Sequence, residues 1–144
     1  MTPPLTNAKQ RQLRLQDYLE HMLEASRLAQ QYLAGIDKAE FFASRMIQQA
    51  VLMNIVIIGE TATQIRDEHL DFVKANVNPA VPWHKMIGMR NRMAHGYFDT
   101  DFEIVWDTVK THLPVLEHFI ATRIEQQNGP ESDAATPSSP DFGT

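Results

Sequence analysis

The sequence predicts an all-α protein, one domain's length of chain folded as a bundle of about five helices with mostly up-down connections. Two patterns predict it. Apolar residues recur at helical spacing near both ends of the chain, and helix start and stop residues punctuate the stretches between them. A third observation decides against strands. The most apolar run, residues 51–58, has no turn residue before it, and polar helix formers continue it on both sides.

Residues 1–8 read as a flexible N-terminal tail. From residue 9 to 34, Leu15, Leu19, Met22, Ala25 or Ser26, Ala29 and Leu33 fall on one helical face, and Gly35 suits the position just past the end. Asp37 caps the next helix. Glu40 stands at the capping-box position, with Ile36 and Phe41 placed as a hydrophobic staple. Ser44 is a second cap candidate, after which helix is expected to about residue 68. Within it, residues 51–58 are apolar almost all round. Such a helix has to be covered on more than one side. In a small bundle that implies the protein's own core on one side and a second protomer on the other.

Residues 67–76 read as a short helix or helical tail, and 76–82 as a proline- and asparagine-broken loop. Pro82 suits the first position of the following helix, whose apolar face is Trp83, Met86, Ile87 and Met93. Asp99 or Asp101 caps the last helix. Its face runs through Phe102, Trp106, Val109, Leu113, Leu116 and Ile120, and Pro114 should kink it. Asn128-Gly129-Pro130 is expected to stop it. The helical domain thus spans 9–128. Residues 129–144, rich in Pro, Ser, Thr, Asp and Ala, read as a disordered C-terminal tail.

Bulk properties narrow the function classes. The 144 residues make one domain's worth of chain, 43% hydrophobic, and contain no cysteine, so neither a disulfide framework nor thiolate chemistry is available. Residues 1–9 lack the apolar segment of a signal peptide, and the run at 55–58 is too short to span a bilayer. A soluble cytoplasmic protein with no membrane partner is expected. The net charge of −5 argues against broad coating of nucleic acid, DNA included, which needs many phosphate contacts. A local basic site remains, where Lys85, Arg90 and Arg92 cluster with His84 and His95. Through it, RNA would be read as a shape or an exposed single strand. None of the six histidines forms a His-Glu-x-x-His pair, so no metal and no cofactor are expected.

Residues 88–98, Gly-Met-Arg-Asn-Arg-Met-Ala-His-Gly-Tyr-Phe, carry the chemistry. Arg90 offers a permanent charge and a planar fork of donors that suits phosphate. His95 can take and give protons near neutral pH. Asn91 can donate and accept, and Tyr97 adds a phenol. Together they can cleave a phosphodiester: His95 would deprotonate the attacking ribose hydroxyl, and Arg90 would stabilise charge developing on the phosphate. On a regular helix Arg90 and His95 point roughly 140° apart, whereas Asn91 and His95 share a face. Either the helix loosens before Gly96, or two chains each contribute a motif to one cleft. Glu60, at the end of the apolar run, either braces Arg90 or is a carboxylate exposed as burial fades. An ordinary helix end, with Arg near the C-terminus and Gly96 beyond, is the competing account.

The pattern Arg90, His95, Tyr97, with Asn91 beside the arginine, resembles the motif of HEPN-domain proteins, specifically the HepT-like toxins. The likeness extends to residues 55–60 (Ile-Val-Ile-Ile-Gly-Glu), 82–89, 102–106 and Leu113-Pro114, over roughly residues 12–125. The resemblance implies a metal-independent ribonuclease, the toxin of a toxin–antitoxin pair, acting on an RNA such as tRNA or mRNA. Arg90, His95 and Asn91 would be catalytic, with Glu60 and Arg92 in support. It implies a homodimer with both motifs in an interface cleft. It also implies a partner, a minimal nucleotidyltransferase antitoxin that transfers AMP to the motif tyrosine, here Tyr97. The residues leave two other readings open. One is a non-catalytic nucleotide- or substrate-binding partner of a nucleotidyltransferase; the other is an interaction module that dimerises through its apolar helix and uses the motif as a helix end. For Tyr97 itself the alternative to the acceptor is packing, with Phe98, against Trp106.

Overall fold

The computed structural model describes residues 3–78, 81–96 and 99–135, the last seven through their backbone alone. Helix α1 spans Asn7–Leu33, α2 Lys38–Ala43, α3 Arg45–Glu68, α4 Leu70–Ala75 and α5 Trp83–Gly96. Helix α6, Phe102–Asp107, runs without a break through a π-helical turn, Thr108–His112, into α7, Leu113–Ala135. Long helices pack as a bundle and two short ones bridge them. The single bridge between Asn78 and Val81 is the extended pairing among the described residues. The all-α expectation holds.

The local signals placed the boundaries well. Gly35 adopts φ 79°, a conformation costly for other residues, and turns the chain out of α1. At α2 the Glu40 N–H donates to Asp37 Oδ1 (2.8 Å) and the Asp37 N–H to Glu40 Oε1 (2.8 Å), completing the capping box. Ser44 Oγ accepts from the Ile47 N–H (3.2 Å) and separates α2 from α3. Of the two aspartates before the last helix, Asp101 is the cap, accepting from the Glu103 and Ile104 N–H groups. Pro82 lies one position earlier than expected. Its carbonyl accepts from the Lys85 and Met86 N–H groups, so it caps α5 rather than beginning it.

Helix α3 is the central element. It packs against α1 on one side and α5 on the other, while α1 also packs on α7. Its 24 residues are long and apolar enough to cross a membrane by composition, more than the run at 55–58 suggested, but Val51, Leu52, Ile55, Ile58, Ala62 and Ile65 are buried in the protein's own core. Phe41 is fully buried. Its ring lies 5.9 Å from Phe102 and 5.7 Å from Trp106, anchoring α2 to α6. Across α1 and α7, Arg27 Nε and Gln30 Nε2 each donate to Glu117 at 2.9 Å, and these bonds hold the Glu117 carboxyl below its ordinary pKa.

One expectation for the last helix is made specific and another needs correction. The irregularity expected at Pro114 takes the form of a π-helical turn. The helix widens just before it, and the Leu113 N–H reaches back to the Thr108 carbonyl, one residue further than an α-helical bond. A proline ring clashes with the carbonyl four residues back, and the extra residue in the turn relieves that crowding. Lys110, within the wide turn, donates to the Leu33 carbonyl (3.2 Å) at the end of α1. The helix does not stop at Asn128-Gly129-Pro130, since α7 continues to Ala135. Propagation adds a hydrogen bond per residue, so the donor missing at Pro130 is a local loss. Residues 136–144 lie outside the described residues.

Candidate functional site

The site begins where α3 and α5 cross. A Cβ built on Gly59 would stand 2.3 Å from Arg90 Cβ and 2.8 Å from the Met86 carbonyl oxygen. No side chain fits there, so glycine lets the helices approach until the stem of Arg90 lies on the α3 backbone. The next residue is Glu60. Its Oε1 accepts from both Nε and a terminal nitrogen of Arg90. The other terminal nitrogen donates to Asn91 Oδ1 at 2.7 Å. Each terminal nitrogen carries a second N–H. Arg90 is thus held half-buried by one carboxylate and one amide, with donors left over.

His95 lies elsewhere. Helix α5 is continuous through Gly96, so the loosening considered as one way to unite Arg90 and His95 does not occur. Instead His95 and Asn91, one turn apart, line a groove of about 460 Å³. Arg92, Asp99 and Asp101 also line it, with Met89 and Ile104 among the apolar walls. Asn91, Arg92 and His95 are exposed. Asn91 is the link: its side chain accepts from Arg90 on one side and borders the His95 groove on the other. The structure therefore joins Glu60, Arg90 and Asn91 by hydrogen bonds and joins Asn91, Arg92 and His95 by a shared groove. It does not aim Arg90 and His95 of one chain at one atom. Tyr97, the expected AMP acceptor, and Phe98 lie outside the described residues.

An apolar stripe leads to this pair. Met46 (78% exposed), Met53 (60%) and Ile57 (36%) are spaced seven and four apart on α3, and Glu60 follows three residues later. These four positions share one face. The opposite arc of α3 is buried. The expectation that α3 is too apolar to be covered by one small bundle is matched by this uncovered stripe.

Among the described residues no cluster of three or more His, Asp or Glu side chains is arranged to hold a metal ion. Sequence reasoning missed Gly59 as the contact point. Its signal was a lone glycine inside a long apolar helix, which marks close backbone approach when it does not mark an end. It also missed Asp99 and Asp101 as groove residues, since aspartates before a helix read simply as caps.

Comparison with known proteins places the chain. Residues 22–123 match the family model described as "Ribonuclease HepT-like". The chain is 35% identical over 101 residues to "Probable ribonuclease HepT" of Thermococcus cleftensis, covering 70% of this chain and 87% of that protein. It is 32% identical over 100 residues to "Putative RNase MJ1380" of Methanocaldococcus jannaschii, covering 69% and 87%. It is 26% identical over 110 residues to "Putative RNase TTE0752" of Caldanaerobacter subterraneus, covering 76% and 94%. No solved structure matches at a comparable level of significance.

Proposed function

This chain belongs to the HepT-like ribonuclease family, and from that premise we propose that it is a metal-independent endoribonuclease, the toxin of a toxin–antitoxin pair. The observation that carries the reading is the split site. A phosphate-binding guanidinium is oriented by Glu60 and Asn91, beside a groove that presents an exposed imidazole.

In this mechanism His95 removes the proton from a ribose 2′-hydroxyl. The 2′-oxygen bonds to phosphorus, the bond from phosphorus to the 5′-oxygen breaks, and the leaving oxygen takes a proton from an imidazolium. The products are a 2′,3′-cyclic phosphate and a 5′-hydroxyl. Arg90 stabilises charge on the phosphate oxygens as it grows. Metal is not required, because base, acid and electrophile are all side chains. Because Arg90 and His95 of one chain diverge, a second copy seated on the Met46–Met53–Ile57 stripe would supply the complementary group. That stripe ends at the Glu60–Arg90 pair, so covering it brings two motifs together. A cognate minimal nucleotidyltransferase would silence the site by transferring AMP to Tyr97. A bulky anion two residues from His95 would obstruct the groove and occupy the arginine.

Purified protein in excess chelator tests the reading. Wild type should cut single-stranded RNA to cyclic-phosphate ends. His95→Ala, at an exposed position, should remain folded by circular dichroism and lose on the order of 10²–10⁴-fold in rate. Equal cutting by both proteins rejects the catalytic role of His95. A monomer by light scattering at micromolar concentration rejects the shared cleft. An AMP-sized mass gain on wild type but not on Tyr97→Phe, after incubation with transferase and ATP, supports the acceptor. An equal gain on both places the modification elsewhere.

A further inference from the structure

A second groove, of about 650 Å³, lies on the far side of Arg92 from the first. The two share Met89, Arg92 and Ile104 as a common ridge. Ile55, Ile58 and Leu116 contribute its apolar floor, and Met86 lines it beside Met89. Its permanently charged lining is Lys85 and Arg92, with the imidazoles of His84 and His112 beside them, the latter 3.6 Å from Asp107 Oδ2. No carboxylate lines it among the described residues, although the chain carries a net charge of −5. The first groove, by contrast, includes Asp99 and Asp101.

That combination suits a flat, apolar-faced group attached to an anion. The volume lies in the range of sites that enclose small ligands. Methionine side chains are flexible and make favourable contacts with aromatic faces, so Met86 and Met89 can close over a ring. Lys85 and Arg92 can meet a phosphate at the rim. A peptide helix could use the floor but would have no particular use for the cations. A second copy has its own surface to cover, and it is elsewhere. On α3, Ile58 and Ile55 lie roughly 120° and 180° around the axis from Met46, so the groove and the exposed stripe occupy different faces.

We propose that this groove is a base-binding subsite. It receives the unpaired base of an RNA nucleotide next to the cleaved bond, and Arg92 on the ridge holds the phosphate between the two grooves. The inference rests on the ribonuclease reading and adds a requirement to it: the substrate must be single-stranded beside the cut, because a base stacked in a duplex cannot enter the groove.

The test uses the full chain and separates the two claims. The cut site is first mapped on an unstructured RNA, and oligonucleotides are then made with an abasic nucleotide on either side of it. One of the two abasic substrates should lose at least about tenfold in kcat/KM, as expected for a lost stacking contact. Val115→Glu places a carboxylate at the groove mouth, at a position 46% exposed where it can remain solvated. It should lower kcat/KM on intact RNA by a similar factor and have no further effect on the sensitive abasic RNA. Equal cleavage of intact and both abasic substrates overturns the subsite and leaves the ribonuclease reading intact. If nothing is cut, the ribonuclease reading fails, and the groove is judged by binding. Methyl resonances of Met86 and Met89 should shift on titration with a single-stranded RNA nonamer, Met46 should not, and the shifts should vanish in Val115→Glu. Unmoved Met86 and Met89 methyls overturn the proposal. So does conversion of a dimer to a monomer by Val115→Glu, which would show that a second copy covers this groove.

Discussion

Among the helix seams that carry an arginine–glutamate pair, two differ in what lies beside the pair. At the α1–α7 seam, Glu117 uses one oxygen for Arg27 and the other for Gln30. Both carboxylate oxygens are used, and the contact borders no groove shared with the motif residues. At the α3–α5 seam, Arg90 takes both its Glu60 contacts on one oxygen and spends a third donor on Asn91, whose side chain opens onto the His95 groove. The first pair ties two helices. The second holds a cation against an amide that borders a groove. An ion pair in a helical bundle is therefore not a functional signal by itself; the space beside it is what makes the α3–α5 pair a candidate.

The comparison breaks or sharpens with a matched pair of substitutions. Glu60→Gln should reduce RNA cleavage by on the order of 10²-fold, the scale of misplacing a catalytic group by about an ångström. Glu117→Gln should leave cleavage unchanged. Steady-state kinetics on one RNA measures both. Equal loss in the two variants would erase the distinction between the seams.

Gly59→Ala addresses the close approach on which the α3–α5 pair depends. The new Cβ would press on Arg90 Cβ and the Met86 carbonyl, neither of which can swing away. We expect about 1–3 kcal/mol of destabilisation by urea unfolding, the usual scale of overpacking, despite alanine's better helix propensity. Cleavage should fall along with it, since the Arg90 stem is displaced. A gain in stability would mean that the helices are not held in contact at this point.

A smaller effect should follow pH. His69 is buried between α3 and α4, edge-on to the Tyr18 ring, and its Nε2 has no hydrogen-bond partner among the described residues. Burial, with some help from Arg11, pushes its pKa below 6.5. The unfolded chain therefore takes up the proton first. Stability from this site is present above about pH 6.5 and is lost as pH falls toward the depressed folded value. Glu68 and Asp71 oppose the shift without reversing its direction. Urea midpoints at successive pH values should decline across this window in wild type and decline less in His69→Gln.

The smallest expected change belongs to the tie at the α1–α7 seam. Arg27 and Glu117 are partly solvated, with side-chain exposures of 51% and 31%, so Glu117→Gln should cost no more than about 1 kcal/mol. Because the Glu117 carboxyl is held below its ordinary value, that contribution is present above about pH 4.5 and fades under acid conditions. A thermal melt of the variant at neutral and acidic pH measures both.

The chain alone determined whatever depends on neighbours along it. The Asp37–Glu40 box, the Ser44 and Asp101 caps and the turn at Gly35 are local hydrogen-bonding and steric facts, legible because the partners stand within a few residues. The shared face of Asn91 and His95 followed from helix geometry in the same way. Side-chain chemistry suggested roles for Arg90 and His95, and family resemblance added the expected one for Tyr97, which spacing left open. What required the tertiary structure is everything that joins distant segments. Glu60 and Arg90 are thirty residues apart, and the lone Gly59 marks a close approach without saying which helix makes it. The same holds for the side of α3 left uncovered at Met46, Met53 and Ile57, and for the second groove, whose walls come from α3, α5 and the last helical run. Local propensity acts over a turn or two of helix, while close packing decides which faces meet, and a pattern of apolar residues tells which face is buried without telling against what.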